Sequence, residues 1–268
     1  MQKLTHMRPK LGEIAHLFVG LQTDADDVYI LELDHEDGDI VYCHSAFTGA
    51  IHPFEKPHLK HFVKGSVNIR RYFLSDLTKR LIFPYETRQG KSVLIDGRDY
   101  AKDYPLTWKY LNECKKRLSA RNKGAMAGSE WYGYVYRKNH LRLNNPKLLV
   151  PSLANRATFA PDLEGRYFFV GSGGGGGGGY GISLPEESYD SYYYLLGLLN
   201  SSVSSYYLRA VSTTFRGGYL ALNRQYIEQL PIRPIDFTTP TDAAQHARLV
   251  ALVQQMLDLH RRAAAEGN

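Results

Sequence analysis

Residues 193–232 read YYLLGLLNSSVSSYYLRAVSTTFRGGYLALNRQYIEQLPI, and the fold class turns on how this stretch is arranged. Here and just upstream, Tyr192, Leu195, Leu196, Leu199, Val203 and Tyr206 fall along one side of a helix predicted from about Ser191 to Arg209. The segment Thr213-Thr214-Phe215-Arg216-Gly217-Gly218-Tyr219 is predicted to be a turn, since adjacent glycines supply the backbone freedom a reversal needs. A short apolar run, Tyr226–Leu230, then leads into Pro231-Ile232-Arg233-Pro234.

Upstream, seven consecutive glycines, Gly173–Gly179, sit in a low-complexity stretch that is predicted to be a loop. Before it come two predicted strands, Pro146–Ala154 (PKLLVPSLA, buried and bounded by prolines) and Tyr167–Val170, with a third in Trp131–Arg137 (WYGYVYR). Pro105 opens a predicted helix reaching Arg121, with Leu111, Cys114 and Leu118 on one face and Lys109, Lys116, Arg117 and Arg121 elsewhere. Near the start, Ile14–Val19 reads as a short helix or strand and Val28–Leu33 as a strand. Asp37-Gly38 reads as a hairpin turn into Ile40–Cys43. The segment His44–Lys64, with four histidines and two prolines, is expected to be irregular, whereas Tyr72-Phe73-Leu74 and Arg80–Pro84 look like strand material. Downstream, Thr239 as N-cap and Pro240 as first helical residue start a final helix with Leu249, Val253, Met256 and His260 as its seam. Such a seam needs a mate, either this domain's own surface or a second helix, the latter giving helix-mediated self-association. The expected fold is therefore α+β (mixed α/β). It comprises a compact body with a mixed sheet and packed helices over residues 1–236 and a helical extension over residues 237–268.

The 268 residues are 43% hydrophobic, which suits a globular core rather than disorder. No apolar run approaches the ~20 residues of a membrane span, and the opening MQKLTHMRPK lacks the apolar centre of a signal peptide, so no membrane partner and a cytoplasmic location are expected. Cys43 and Cys114 lie far apart without CxxC spacing, which argues against a disulfide framework or a cysteine zinc site. A net charge of +6 with pI about 9.1 points to a polyanionic partner. The 20 tyrosines suit a wet interface, although at least half are expected in the core.

Several catalytic patterns are present only in part. The glycine tract lacks the Gly-Lys-Ser/Thr ending of a phosphate loop and matches a dinucleotide fingerprint only trivially. Phe169-Val170-Gly171-Ser172-Gly173 has the F-x-G-x-G form of a methyltransferase cofactor loop. The Asn/Asp-Pro-Pro-aromatic motif that should accompany it is missing, with Phe83-Pro84-Tyr85 and Asn145-Pro146-Lys147 the nearest strings. Glu113-Cys114-Lys115 with Asp96, Asp99 or Asp103 has a nuclease-like form, but an i,i+4 pair between Glu113 and Arg117 explains the glutamate. His52, His58, His61 and Glu55 read as loop residues rather than a metal site, and Asp24, Asp26 and Asp27 as turn chemistry. No cofactor or metal is therefore expected in this chain. Positive charge beside aromatics and glycines remains: Arg70, Arg71, Arg137, Lys138, Arg156, Arg216, Gly217, Gly218, Tyr219 and Arg224 are the predicted DNA-binding residues.

The order of strings now carries weight. LGEIAHLFVGLQTDADDVYIL, RRYFLSDLTKRLIFPYE, YPLTWKYLNECKKRLSAR, NNPKLLVPSLA and GSGGGGGGGYGI precede the stretch quoted first, and a final helix follows it. This succession resembles the TaqI-like C-terminal specificity domain of adenine-specific DNA methyltransferases and Type IIG restriction–modification enzymes, from about Pro9 to about Leu259. The resemblance implies sequence-specific recognition of double-stranded DNA, as a target-recognition domain. Methyl transfer would belong to a methyltransferase part, joined by a nuclease in some assemblies, that binds S-adenosylmethionine and flips the adenine. Two rival readings remain at this stage: a protein-interaction or helix-pairing domain, and an enzyme with an unrecognised site at the glycine loop.

Overall fold

A computed structural model describes residues 6–171, 177–185 and 189–266. Its strands are, in chain order, β1 (His16–Val19), β2 (Ile30–Asp37), β3 (Ile40–Ser45), β4 (Ile51–Glu55), β5 (Leu59–Val63), β6 (Lys79–Ile82), β7 (Tyr85–Arg88) and β8 (Lys91–Leu94). Then follow β9 (Lys147–Pro151), β10 (Leu153–Ala154), β11 (Ala160–Asp162), β12 (Tyr167–Phe169), β13 (Gly179–Ser183), β14 (Thr214–Phe215) and β15 (Tyr219–Ala221). They form a six-stranded sheet in the order β12-β5-β6-β2-β3-β4, a four-stranded sheet β1-β13-β9-β11, a three-stranded sheet β10-β15-β14 and the β7-β8 hairpin. β12 runs parallel to β5 and the other pairings are antiparallel, so the sheets are mixed and the fold is α+β as expected.

The Asp37-Gly38 turn forms as predicted: Gly38 has φ +56 and Asp37 pairs with Ile40 across it. The expectation of an irregular His44–Lys64 was wrong, since this segment supplies β4 and β5. Phe54, Leu59, Phe62 and Val63 are buried, and Pro53 is tolerated because β4 is an edge strand where a missing N–H breaks no ladder. The predicted strand Trp131–Arg137 is not a strand either. Arg121, 2% exposed, donates to the carbonyls of Thr23, Trp131 and Gly133, the Tyr29 hydroxyl donates to Tyr132 O, and the Tyr134 N–H donates to the Tyr85 hydroxyl. Side chains thus satisfy backbone groups that a ladder would otherwise pair. Tyr72-Phe73-Leu74 is a turn, with Tyr72 at φ +71 and the Arg70 N–H bonded to Phe73 O.

Two of the three long predicted helices are broken, and the strand predicted from Val28 begins only at Ile30. The helix from Pro105 ends at Glu113 and restarts as Lys115–Ser119, yet Leu111, Cys114 and Leu118 all remain fully buried. The second divides into Tyr189–Leu199 and Ser202–Val211. Asn200 leaves the helix, accepts the Phe159 N–H at 3.0 Å and donates to Phe159 O at 2.9 Å, while Ser201 caps the next helix through Ser204 N. The break turns the second half, so Tyr207 and Leu208 are buried and Val203 and Tyr206 face solvent. Val28 and Tyr29 belong to a helical turn, Asp26–Tyr29, that precedes β2, and Ile14 ends the turn Leu11–Ile14 before β1.

Two apolar clusters organise the molecule. One packs the six-stranded sheet against Tyr100, Tyr110 and Tyr134, and the other joins Leu148, Val150, Ile182, Leu195, Leu199, Leu220 and Val253. Among the described residues eight tyrosines are buried, and Tyr72, Tyr104, Tyr167, Tyr180, Tyr193 and Tyr226 pack partly buried against these clusters, as the count suggested. Between β9 and β11 lies a buried ion pair, Lys147 Nζ–Asp162 Oδ2 at 2.5 Å, which the sequence reading missed. The lysine also donates to Leu143 O, and the carboxylate accepts the N–H groups of Arg166 and Tyr167, so both charges are compensated.

The final helix runs Pro240–Ala265 with Pro240 at its first position. It docks on Tyr189–Leu199 through Val250, Val253 and Leu257, so its mate is the domain's own surface. Gly197 permits the approach: a Cβ there would stand 2.9 Å from Leu249 Cδ1. The predicted seam is rotated, for Met256 is 39% exposed and His260 lies half-buried against Phe73.

Candidate nucleic-acid interface

Three distant segments meet beside the three-stranded sheet. The first is the turn around Arg70–Phe73, held by Asn68, whose side chain accepts from Lys64 N and donates to the carbonyls of Ser75 and Asp76. The second, Asn155-Arg156, leaves β10, and β10 pairs with β15, which begins at Tyr219. The last turns of the C-terminal helix form the third wall. Between them runs a groove of about 620 Å³, lined among others by Arg70, Arg71, Arg156, Tyr219, Met256 and His260. Among the described residues no aspartate or glutamate lines it. Three uncompensated guanidiniums on one concavity make a positive potential suited to phosphates.

Local contacts set the arginines. Arg70 donates to Ser66 O, and Arg71 reaches across the sheet to Asn200 O while lying 5.6 Å from the Tyr72 ring centroid. The Arg71 Nε is buried with no hydrogen-bond acceptor in reach, and the Arg156 side chain is exposed. Burial raises the Tyr72 phenol above its ordinary pKa, with Arg71 opposing. His260 stacks on Phe73 with centroids 4.4 Å apart, and burial lowers its pKa.

Arg216, Gly217 and Gly218 form the tip of the β14–β15 hairpin, whose second strand brings Tyr219 to the groove. Gly217 and Gly218 take φ values of +81 and +76, which other residues adopt only under strain. Thus Arg70, Arg71, Arg156 and Tyr219 converge, with Arg216–Gly218 on the adjoining ribbon. Arg137, Lys138 and Arg224 do not line the groove: Arg137 is ion-paired with Glu130 and Arg224 with Glu228, while Lys138 is exposed elsewhere. The groove-lining Ser66 and Thr158 were not anticipated, and Met256 and His260 were expected only in a helix seam. They carry no local signal, because separate segments bring them together.

The other chemistries dissolve into structural roles. Among the described residues no group of three or more His, Cys, Asp or Glu could hold a metal. Glu55 accepts from the N–H groups of Leu106 and Thr107 at the start of a helix, and His52 bonds Thr48. His58 is not a solvated loop residue: it is buried against Tyr100, and burial drives its pKa down to about 3. Glu113 lies 3.9 Å from His52 rather than pairing with Arg117, which holds Asp27 instead. Asp96 caps the Gly97–Asp103 helix. At the start of the glycine tract, Gly171 N donates to Leu21 O, and Gly20 packs so closely that a Cβ would lie 2.4 Å from Phe169 O. These glycines serve a chain crossing, while residues 172–176 lie outside the described residues.

With this geometry in place, comparison with known proteins is informative. The sequence profile of the TaqI-like C-terminal specificity domain matches residues 92–232, just over half of the chain. The chain belongs to this family. The matched region of this TaqI-like domain includes Arg156 and the Arg216–Tyr219 ribbon, whereas Arg70, Arg71 and the final helix lie outside it. The chain is 24% identical over 251 residues to the Type II restriction enzyme and methyltransferase RM.Eco57I of Escherichia coli, covering 90% of this chain and 24% of that protein. It is 26% identical over 226 residues to the Type II methyltransferase M.MjaIV of Methanocaldococcus jannaschii, covering 83% of this chain and 66% of that protein. The chain thus spans about a quarter of the length of the first relative and just under two thirds of the second. Among the described residues no helix is long and apolar enough to cross a membrane.

Proposed function

We propose that this chain recognises double-stranded DNA as the specificity part of an adenine-specific methyltransferase or restriction–modification assembly. The observation that carries the reading is the groove where Arg70, Arg71 and Arg156 meet Tyr219 without a carboxylate. Residues 1–236 act as the recognition body and residues 237–268 as a helical extension docked on it. S-adenosylmethionine and methyl transfer belong to a catalytic part outside this chain, in the manner of Type IIG enzymes, and the assembly works in the cytoplasm. In support, both relatives are named as methyltransferases. The runner-up, a helix-pairing domain, rests on Leu252 and Leu259, which are 52% and 59% exposed on the final helix.

The test is selection of bound duplexes from a random-sequence pool, with affinity followed against salt. Enrichment of a short motif, a steep loss of affinity between about 50 and about 200 mM salt, and a slope reduced by about 1 in Arg156→Ala are expected. S-adenosylmethionine should leave the thermal stability of this chain unchanged. Absence of binding at low salt, or an Arg156→Ala variant with an unaltered slope and affinity, would overturn the groove assignment. Concentration-dependent oligomers without DNA affinity would favour helix pairing.

A further inference from the structure

The groove and the neighbouring ribbon differ in shape, and the difference separates their tasks. At about 620 Å³ the groove is far too small for a duplex some 20 Å across, but it has room for the backbone of one strand. The β14–β15 hairpin is the opposite, a projection. Every residue from Thr213 to Tyr219 is exposed, while Leu220, Ala221 and Leu222 at its root are buried. Three residues of extended chain reach about 10 Å. That matches the major groove of B-DNA, about 8.5 Å deep and about 12 Å wide and able to admit a two-stranded β-ribbon, whereas the minor groove is about 6 Å wide.

Charge pairing also leaves this hairpin unmatched. Arg80, Arg117, Arg137, Arg224 and Arg233 are each held by a carboxylate. Arg216 has no such partner among the described residues, and the run Thr213–Tyr219 contains no acidic residue. Gly218 has no heavy atom within 4 Å of where a Cβ would stand, so the tip backbone is bare as well as left-handed. The hairpin is fixed at its base by β10 and ends in Tyr219 on the groove wall, so a strand seated on Arg70, Arg71 and Arg156 places the ribbon beside the same duplex.

We propose that the β14–β15 ribbon enters the major groove and that Arg216 at its tip reads a guanine through N7 and O6. This rests on the DNA-recognition reading and assigns base discrimination to the ribbon and backbone holding to the groove. A planar guanidinium donates two parallel hydrogen bonds to these acceptors, and one such contact is worth roughly 10- to 100-fold in discrimination. Arg216 is a specificity-determining residue in this arrangement, whereas Arg156 contributes uniformly to all sequences.

The experiment repeats the random-duplex selection with Arg216→Ala and Arg216→Lys, then substitutes 7-deazaguanine for each guanine of the wild-type motif. Relaxation of one guanine position in both variants is expected, together with a roughly 10-fold or greater loss for wild type on 7-deazaguanine at that position. Arg216→Ala should be indifferent to that substitution and retain wild-type affinity for unrelated duplexes. An Arg216→Ala variant that weakens every duplex equally would make Arg216 a phosphate contact and overturn the assignment. Sensitivity to inosine instead, which removes the minor-groove amino group, would place the ribbon in the minor groove and overturn it too. Salt-sensitive binding without any enriched motif refutes base reading but leaves the groove as a backbone site, whereas no binding at all removes both.

Discussion

The break between the Tyr189–Leu199 and Ser202–Val211 helices rests on one side chain, and Asn200→Leu isolates its contribution. The replacement keeps the number of side-chain heavy atoms and the branching at Cγ but has no polar atoms. Asn200 is fully buried, so no water replaces the two bonds its amide makes to Phe159. The Phe159 N–H loses its acceptor, and a buried unsatisfied donor costs about 1–3 kcal/mol. Phe159 O keeps the N–H of Tyr72 at 2.9 Å, so losing the Nδ2 bond costs only about 0.5–1.5 kcal/mol. The sum, about 1.5–4.5 kcal/mol, corresponds to a fall in Tm of roughly 3–9 °C at about 2 °C per kcal/mol for a chain of this size. Equilibrium urea unfolding at fixed m-value measures it. The control is Asn112→Ala, because the exposed Asn112 amide donates only to Trp108 O and its loss should fall within about 0.5 kcal/mol. A leucine variant within about 1 kcal/mol of wild type, or no more affected than Asn112→Ala, would refute this account of the helix break.

Two further outcomes follow from burial. His58 and His140 have pKa values pushed down to about 3 and about 4, chiefly by burial, against an ordinary value near 6.5. Below about pH 6.5 the unfolded chain takes up protons that the fold refuses, so stability should be level above that pH. It should then fall by about 1.4 kcal/mol per pH unit for each histidine on the way to pH 5. Urea titrations at several pH values should show this, His140→Gln should lower the slope by about 1.4 kcal/mol per pH unit, and a flat profile would contradict the burial of both rings. Cys43 and Cys114 are fully buried, with thiols pushed up to about 12 and about 11, again mainly by burial. Neither should react with a thiol reagent near pH 8 until guanidinium unfolds the chain, and rapid labelling of the native protein would show that the core around them opens.

Much of the local structure was determined by the sequence alone. The hairpin at Asp37-Gly38, the glycine reversal at Gly217-Gly218 and the start of the final helix at Thr239-Pro240 follow from backbone preferences acting over two or three residues, and all three form. The buried line Leu111, Cys114 and Leu118 follows from helical periodicity and survives even where its helix breaks. The family was legible too, because it lies in the order of such strings. Tertiary structure decided what distance in sequence hides. Trp131–Arg137 has strand-like composition, but the guanidinium of Arg121 and the hydroxyls of Tyr29 and Tyr85 take over its backbone partners. His44–Lys64 became two strands because neighbouring strands offered ladders that its prolines did not block. The same holds for the candidate site. Arg137 and Arg71 look alike in sequence, yet one is matched by Glu130 and the other reaches Asn200, 129 residues away, and joins Arg156 in a groove without carboxylates. Composition counts charges, whereas the partner each charge meets depends on which distant segments the fold brings within a few ångströms.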